Sequence, residues 1–375
     1  MIEAEYFYKK LIQFDVGFFT GVPDSLLMDF CAYITDKTAG NDHITAVNEG
    51  AAVGLAAGFY LATGRIPLVY MQNSGIGNAV NPLLSLADTD VYSIPMILLI
   101  GWRGEPGVHD EPQHIKQGKV TCTLLNAMGI PYSILEKTED AADKQIEQCF
   151  NTIAMTNSPY AFVIRKDTFS PYTIKKEDNS SLITREEAIE EIIQNRGGVF
   201  VSTTGMISRE LYELREKNKE INHEHDFLTV GSMGHASSIA LSVALQKPHI
   251  PVTCLDGDGA ALMHLGSFAA IGAIKPNNYC HIVLNNGAHD SVGGQPTIAP
   301  FIDLPQIAKS CGYGNIYQAK TKEDLKNILS KKNDKLTFIE VLVKKGARKD
   351  LGRPKSTPIE NKNAFMQFIY NRSIK

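Results

Sequence analysis

The chain has 375 residues, 43% of them hydrophobic and 21% charged, and a formal charge of -4 at pH 7. That length supports two domains with sizeable cores, and the slightly acidic balance excludes a general electrostatic affinity for nucleic acid or an anionic membrane. A small molecule and a second copy of the chain are the expected partners.

In chain order, MIEAEYFYKKLIQFDVGFF is amphipathic and lacks the basic start and apolar core of a signal peptide. TGVPDSLL (20–27) follows this first helix as a turn carrying Asp24. VNEGAAVGLAAG (47–58) is a run of small residues opened by one acid, Glu49. Strands are predicted at 66–72, 94–100, 160–166, 198–203, 252–257, 281–286 and 336–345, each a continuous apolar run separated from the next by helical segments. That alternation predicts an α/β fold with parallel sheets covered on both faces. IPMILLIGW (94–102) is too short to span a bilayer and reads as a buried strand. MQNSGIGNAVNPL (71–83) carries Asn73 and Ser74 beside Gly75 and Gly77, which permit close backbone approach. WRGEPGVHDEPQHIKQG (102–118) reads as a specialised loop holding Arg103, His109, His114 and Lys116, with a solvated charged loop as the alternative.

The pattern fails in RKDTFSPYTIKKEDNSSLIT (165–184), which is polar and ends in a sequence suited to starting a helix. The expected domains are therefore 1–168 and 184–375, joined by a linker at 169–183. Six cysteines, at 31, 122, 149, 254, 280 and 311, show no CxxC pair or Cys/His cluster in sequence. That argues against zinc and disulfides and for thiols in a reducing cytoplasm.

The strongest local signal is LDGDGAALMHLGSFAAIGAIKPNNYCHIVLNNGAHDS (255–291). One strand ends at Gly257-Asp258-Gly259 and another at Asn285-Asn286-Gly287, at the same edge of a parallel sheet. The glycines let backbone approach a phosphate. Asp258, the Asn286 amide and a carbonyl near Ala288 form an oxygen set suited to octahedral magnesium. A dinucleotide site would add a third glycine that is missing here.

GDG followed by NN resembles the cofactor motif of the thiamine-diphosphate-dependent decarboxylases. The resemblance implies two doubly wound domains, pyrimidine-binding then diphosphate-binding, with no middle domain. It also implies thiamine diphosphate and Mg2+ bound between subunits of a homodimer or larger assembly. It assigns Asp258, Asn286 and Ala288 to the metal. Thr204 and Gly205, then Gly231, Ser232 and Met233, and Gly257, Gly259 and Ala260 are assigned to the cofactor, with Met233 propping its bent shape. Glu49 matches the acid that favours the pyrimidine's imino tautomer, whose exocyclic nitrogen deprotonates the thiazolium carbon. Asp24, Asn73 and Ser74 fall on active-site loops.

The 102–118 segment, TTGMISREL (203–211), NNGAHDSVGGQPT (285–297) and VKKGARKDLGRPKS (343–356) look most like the branch acting on 3-phosphonopyruvate, which is close to the branch acting on sulfopyruvate. The implied reaction is non-oxidative decarboxylation to phosphonoacetaldehyde and CO2, in phosphonate biosynthesis. His109 or His114 would move the proton, and Arg103, Lys116, Arg348 and Arg353 would meet the anion. A basic tail without structure is the alternative for 343–356, and a carboligase the alternative for the chemistry.

Overall fold

A computed structural model describes residues 1–38, 40–173, 181–217, 223–331 and 334–372. It divides into two compact units, Met1–Lys176 and Glu177–Lys375. Within the expected linker, residues 174–180 lie outside the described residues. Phe169 belongs to the first unit's core, Tyr172 packs against Tyr33, and Ile183 bridges to Val343 in the second unit.

The first unit holds strands β1 (Phe18–Gly21), β2 (His43–Thr45), β3 (Pro67–Gln72), β4 (Ile97–Gly101), β5 (Tyr132–Ile134) and β6 (Tyr160–Ile164), ordered β2-β1-β3-β4-β6-β5. All of its strand pairs are parallel. Successive side chains of one strand enter opposite cores. Leu68 and Tyr70 join Phe7, Leu11, Phe30 and Phe162 on one face, while Val69 and Met71 join Ala52, Val53 and Ala56 on the other. Each such Leu, Val or Phe buried from water contributes about 1.5–3 kcal/mol, so the two-sided burial explains the unbroken apolar runs.

The second unit repeats the plan with β7 (Val199–Ser202), β8 (Asp226–Leu228), β9 (Val252–Gly257) and β10 (Tyr279–Asn285). A short antiparallel hairpin of β11 (Ala288–His289) and β12 (Gln295–Pro296) follows, then β13 (Asn315–Ala319) and β14 (Thr337–Leu342). Its six-stranded parallel sheet runs β13-β14-β10-β9-β7-β8, the same order as the first with the hairpin set aside. In each sheet the chain leaves the first strand toward one neighbour and returns to the other side. The carboxyl ends of β1 and β3, and of β7 and β9, therefore flank the crevices where α/β sheets take ligands.

The helix Arg185–Asn195 starts where the sequence places it, with Thr184 and Glu187 forming a reciprocal capping box. The last helix, Pro358–Arg372, returns to the sheet, where Asn361 accepts from the Leu228 amide at 3.0 Å and donates to the Asp226 carbonyl at 2.8 Å. Asp226 itself forms a buried two-bond pair with Arg215, at 2.8 and 2.9 Å.

Candidate active site

In the second unit, the ends of β7, β9 and β10 wall one cavity lined by Thr203, Thr204, Met233, Gly257, Asp258, Gly259, Ala260, Asn286, Ala288 and His289, with Arg185, Asp290 and Ser291 beside them. Sequence positions spread over more than a hundred residues meet here because the three strands are parallel neighbours. Asp258 is 3% exposed, and burial pushes its carboxyl up to about 6 against the opposing bonds from the Thr297 hydroxyl and from the backbone of Asp258, Gly259 and Asn286. A cation beside it would reverse that shift. The two asparagines divide their work. Asn285 donates to Glu340 on β14 at 2.8 Å and accepts from the Gly287 amide at 3.0 Å, which shapes the turn. Asn286 faces the cavity, donates to Asp290 at 2.6 Å and accepts from the Ala288 amide at 3.0 Å.

The surrounding backbone is shaped by glycine where a side chain would not fit. A Cβ on Gly259 would stand 2.8 Å from the His289 ring. Gly205 adopts φ +96°, which favours glycine, and brings the Thr204 turn toward Ser291. Thr204 accepts from the Gly231 amide at 3.1 Å, joining the β7 turn to the β8 turn. Ser232 is exposed, also at positive φ, and Met233 is half-buried within reach of Gly259. Burial lowers the His289 imidazole to about 4, so it is neutral near pH 7. The Thr203 hydroxyl is buried without a hydrogen-bond partner. Thr203, Thr297, His289, Arg185 and Asp290 escaped the sequence reading, since their relation to Asp258 and Asn286 is set by strand adjacency and carries no local spacing signal.

In the first unit, Glu49 is the first residue of the helix Glu49–Thr63, whose N-cap, Asn48, accepts from the Ala51 amide at 2.8 Å. Glu49 is 5% exposed and accepts from the Asn78 amide at 2.7 Å. A Cβ on Gly75 would press on the Glu49 side chain, so glycine there leaves room for the carboxylate.

Several expected contacts resolve differently. Asn73 is 2% exposed and spends its amide on the Arg103 carbonyl at 2.8 Å and the Thr121 hydroxyl at 2.9 Å, so it ties β3 to β4 and offers no free donor. Ser74 donates to Gln72 at 2.7 Å, and Gln72 in turn donates to Asp24 at 2.7 Å. Asp24 is fully buried and also accepts from the Leu26 amide at 2.9 Å. The segment read as a loop at 102–118 becomes helix from Pro112, which places His114 and Lys116 on the first turns of Pro112–Ala127. Proline suits a helix start, where its missing N–H leaves no hydrogen bond unmade, and this explains the change.

Arg103 gives its guanidinium to Asp110 in two bonds and to the Ser25 hydroxyl at 2.7 Å. Against the opposing effect of burial, bonds from Arg103 and from the Glu111 and Gly104 amides hold the Asp110 carboxyl well below the usual carboxylate range. His114 is 8% exposed, its Nδ1 has no partner, and burial together with the nearby Arg103 charge lowers its pKa. His109 and Lys116 are exposed. At the other end, Arg348 pairs with Glu186, Glu213 and Asp350, and Gly352 donates to Glu213. Acids tie the basic segment down, so Arg348 is not free to form the expected anion pocket; Arg353 is exposed.

Cys254, Asp256 and His281 also cluster, fully buried, across β9 and β10. His281 spends one nitrogen on Asp256 at 3.3 Å and the other on Tyr313 at 3.2 Å, and burial pushes the Cys254 thiol well up, which leaves a packed polar network and no open ligand set. The cross-strand spacing hides this cluster from a search for short Cys/His motifs.

Residues 1–123 match the family described as thiamine pyrophosphate enzyme, N-terminal TPP binding domain, and residues 201–341 match thiamine pyrophosphate enzyme, C-terminal TPP binding domain. A phosphonopyruvate decarboxylase of Streptomyces viridochromogenes is 34% identical over 98% of this chain and 95% of its own length. The chain belongs to the thiamine pyrophosphate enzymes. Within that family it is also 34% identical to a phosphonopyruvate decarboxylase of Streptomyces hygroscopicus, over 98% of this chain and 94% of the relative. A sulfopyruvate decarboxylase of Methanosarcina acetivorans is 30% identical, covering 81% of this chain and 82% of the relative. As a thiamine pyrophosphate enzyme, the chain has two TPP-binding domains and two parallel sheets, with no domain between them among the described residues.

Proposed function

We propose that this chain is a carboxy-lyase that decarboxylates 3-phosphonopyruvate to phosphonoacetaldehyde and CO2 with thiamine diphosphate and Mg2+, within phosphonate biosynthesis. One observation carries the reading: in a chain similar along its whole length to phosphonopyruvate decarboxylases, a single cavity gathers Asp258, Asn286 and backbone bordered by glycine. The residues present fit the cofactor. A buried carboxylate, an amide oxygen and the Ala288 carbonyl make a hard-oxygen set for Mg2+, and the unpartnered Thr203 hydroxyl and the turns at Thr204–Gly205 and Gly231–Ser232 suit a diphosphate. Gly257, Gly259 and Ala260 keep that wall low, and Met233 offers an apolar prop.

When bound, thiamine diphosphate supplies the electron sink for the pair left by departing CO2. Glu49, fixed at one oxygen by Asn78, would hold the aminopyrimidine through its carboxyl. His114, neutral through burial and with a free ring nitrogen, is the better placed of the two histidines to move a proton, since His109 is exposed. Asp24 acts through Gln72 and Ser74, holding the β3 turn in shape.

A second reading, decarboxylation of sulfopyruvate, is favoured by one observation. Arg103 and Arg348 are both neutralised by carboxylates, and a monoanionic sulfonate asks for less positive charge than a phosphonate dianion. Comparison of kcat/KM for the two keto acids tests this. A preference for 3-phosphonopyruvate supports the first reading, and a preference for sulfopyruvate overturns it. Product analysis with an acceptor aldehyde present excludes or reveals carboligation.

We also propose self-association. The small-residue helix Glu49–Thr63 leaves Leu61 71% exposed and Leu55 37% exposed, an apolar face that a second copy would cover. Light scattering on the eluting protein should give at least a dimer. No helix among the described residues is long and apolar enough to cross a membrane, and six free cysteines agree with the proposed cytoplasmic location.

A further inference from the structure

Asn286 can serve a cation only if its amide oxygen, and not its NH2, faces the ion. The two ends of an amide have nearly the same shape, so packing does not choose between them; hydrogen bonding does. Two groups make the choice here: the Ala288 amide donates to Asn286 Oδ1 at 3.0 Å, and Asp290 Oδ2 accepts from Asn286 Nδ2 at 2.6 Å, from Arg185 Nη1 at 2.9 Å and from the Gly346 amide at 2.9 Å. A turned amide would set its carbonyl against that carboxylate. Arg185 is 5% exposed and is itself gripped by Glu210 at 2.8 and 3.0 Å, with Glu210 2% exposed.

A buried ion-pair cluster of this kind is a poor route to stability, because apolar residues of the same volume serve as well or better. Its cost is explained if it sets an orientation. Its placement agrees: Arg185 and Asp290 line the Asp258 cavity, and Glu210 stands behind Arg185 on a neighbouring cavity.

We propose that Asp290 is a positioning residue that fixes the Asn286 amide for divalent-ion binding, and that Arg185, locked by Glu210, fixes Asp290. The inference rests on the Mg2+ site proposed above. The Gly346 amide extends the relay to the strand exit after β14, so the start of the basic segment 343–356 contributes structure to the metal wall and not a cation to the substrate.

The test is calorimetric titration of Mg2+ into the full-length protein with thiamine diphosphate present and no keto acid. Asp290→Asn is nearly isosteric but offers no anionic acceptor. It should lower Mg2+ affinity about 10- to 100-fold, the usual effect of losing an outer partner of a metal ligand, with little change in the unfolding midpoint. Arg185→Lys, which keeps the charge and loses the fork, should fall between Asp290→Asn and the parent. Asp290→Ala removes the acceptor altogether and should lower the affinity at least as far as Asp290→Asn.

Affinity of Asp290→Asn or of Asp290→Ala within twofold of the parent overturns the proposal. A parent protein that binds no Mg2+ overturns both the inference and the metal site. A parent that binds Mg2+ yet decarboxylates neither keto acid refutes the substrate reading, while the binding data still decide the role of Asp290.

Discussion

Asn78 lies one helical turn beyond the β3 turn and donates its amide to the Glu49 carboxylate at 2.7 Å, so two segments 29 positions apart meet at one buried acid. Loss of that bond frees a carboxylate whose use depends on aim. Asn78→Ala should reduce kcat by about tenfold, the scale of one hydrogen bond to a charged group, while Glu49→Gln should leave the fold intact and reduce it by about 10²–10⁴. CO2 release together with thermal unfolding checks both. Near-parental turnover in Glu49→Gln refutes the role given to Glu49.

Gly75→Ala tests the same acid from the other side. The new methyl would press on the Glu49 carboxylate, which must move. Decarboxylation should drop by at least as much as in Asn78→Ala, with the Mg2+ affinity of the second unit unchanged; a variant with parental kcat would show that Glu49 tolerates displacement.

Asp258→Ala removes the only carboxylate in the proposed Mg2+ ligand set. Retention of thiamine diphosphate should then be lost, and excess chelator should do the same to the parent protein. Equilibrium dialysis measures both, and binding that survives the chelator counts against a metal-dependent site.

The legibility of the fold and of the site follows from how far apart the informative residues lie. Seven strands stand out as apolar runs because both faces of each sheet are covered. β2, β5, β8 and β13 are the edge strands of the two sheets and mix polar with apolar residues, and β1 shares its aromatic run with the preceding amphipathic helix, so no apolar run marks them. Glu49, Asp258 and Asn286 could be found because each sits in a short motif at a strand exit or helix start. Asp290, Arg185 and Asn78 matter through partners that topology supplies. At Arg103 and Arg348 the sequence shows the charge and hides the carboxylates folded against it.

His43 makes the first unit sensitive to acid. Its ring nitrogen meets the Tyr70 hydroxyl at 2.9 Å, and burial lowers its pKa to about 4 from 6.5. The unfolded chain therefore binds the proton first as pH falls. The contribution of the neutral ring is whole above pH 6.5 and is lost progressively down to about pH 4, amounting to at most about 3 kcal/mol. Denaturant midpoints at pH 7 and pH 4.5 should lie closer together in His43→Gln than in the parent. An unchanged gap would assign the acid sensitivity elsewhere.

Asn361 has a consequence at the margin of the second sheet. β8 is a terminal strand, and Thr229 points its amide inward to Ser202, so Asp226 and Leu228 turn their backbone groups outward, where another chain could dock strand against strand. One side-chain amide occupies both of those groups and ends the hydrogen-bond ladder as an additional strand would, without offering a further edge. The last helix is in this sense a guard against aggregation. Its removal would open a templating surface in a protein whose catalytic residues lie elsewhere.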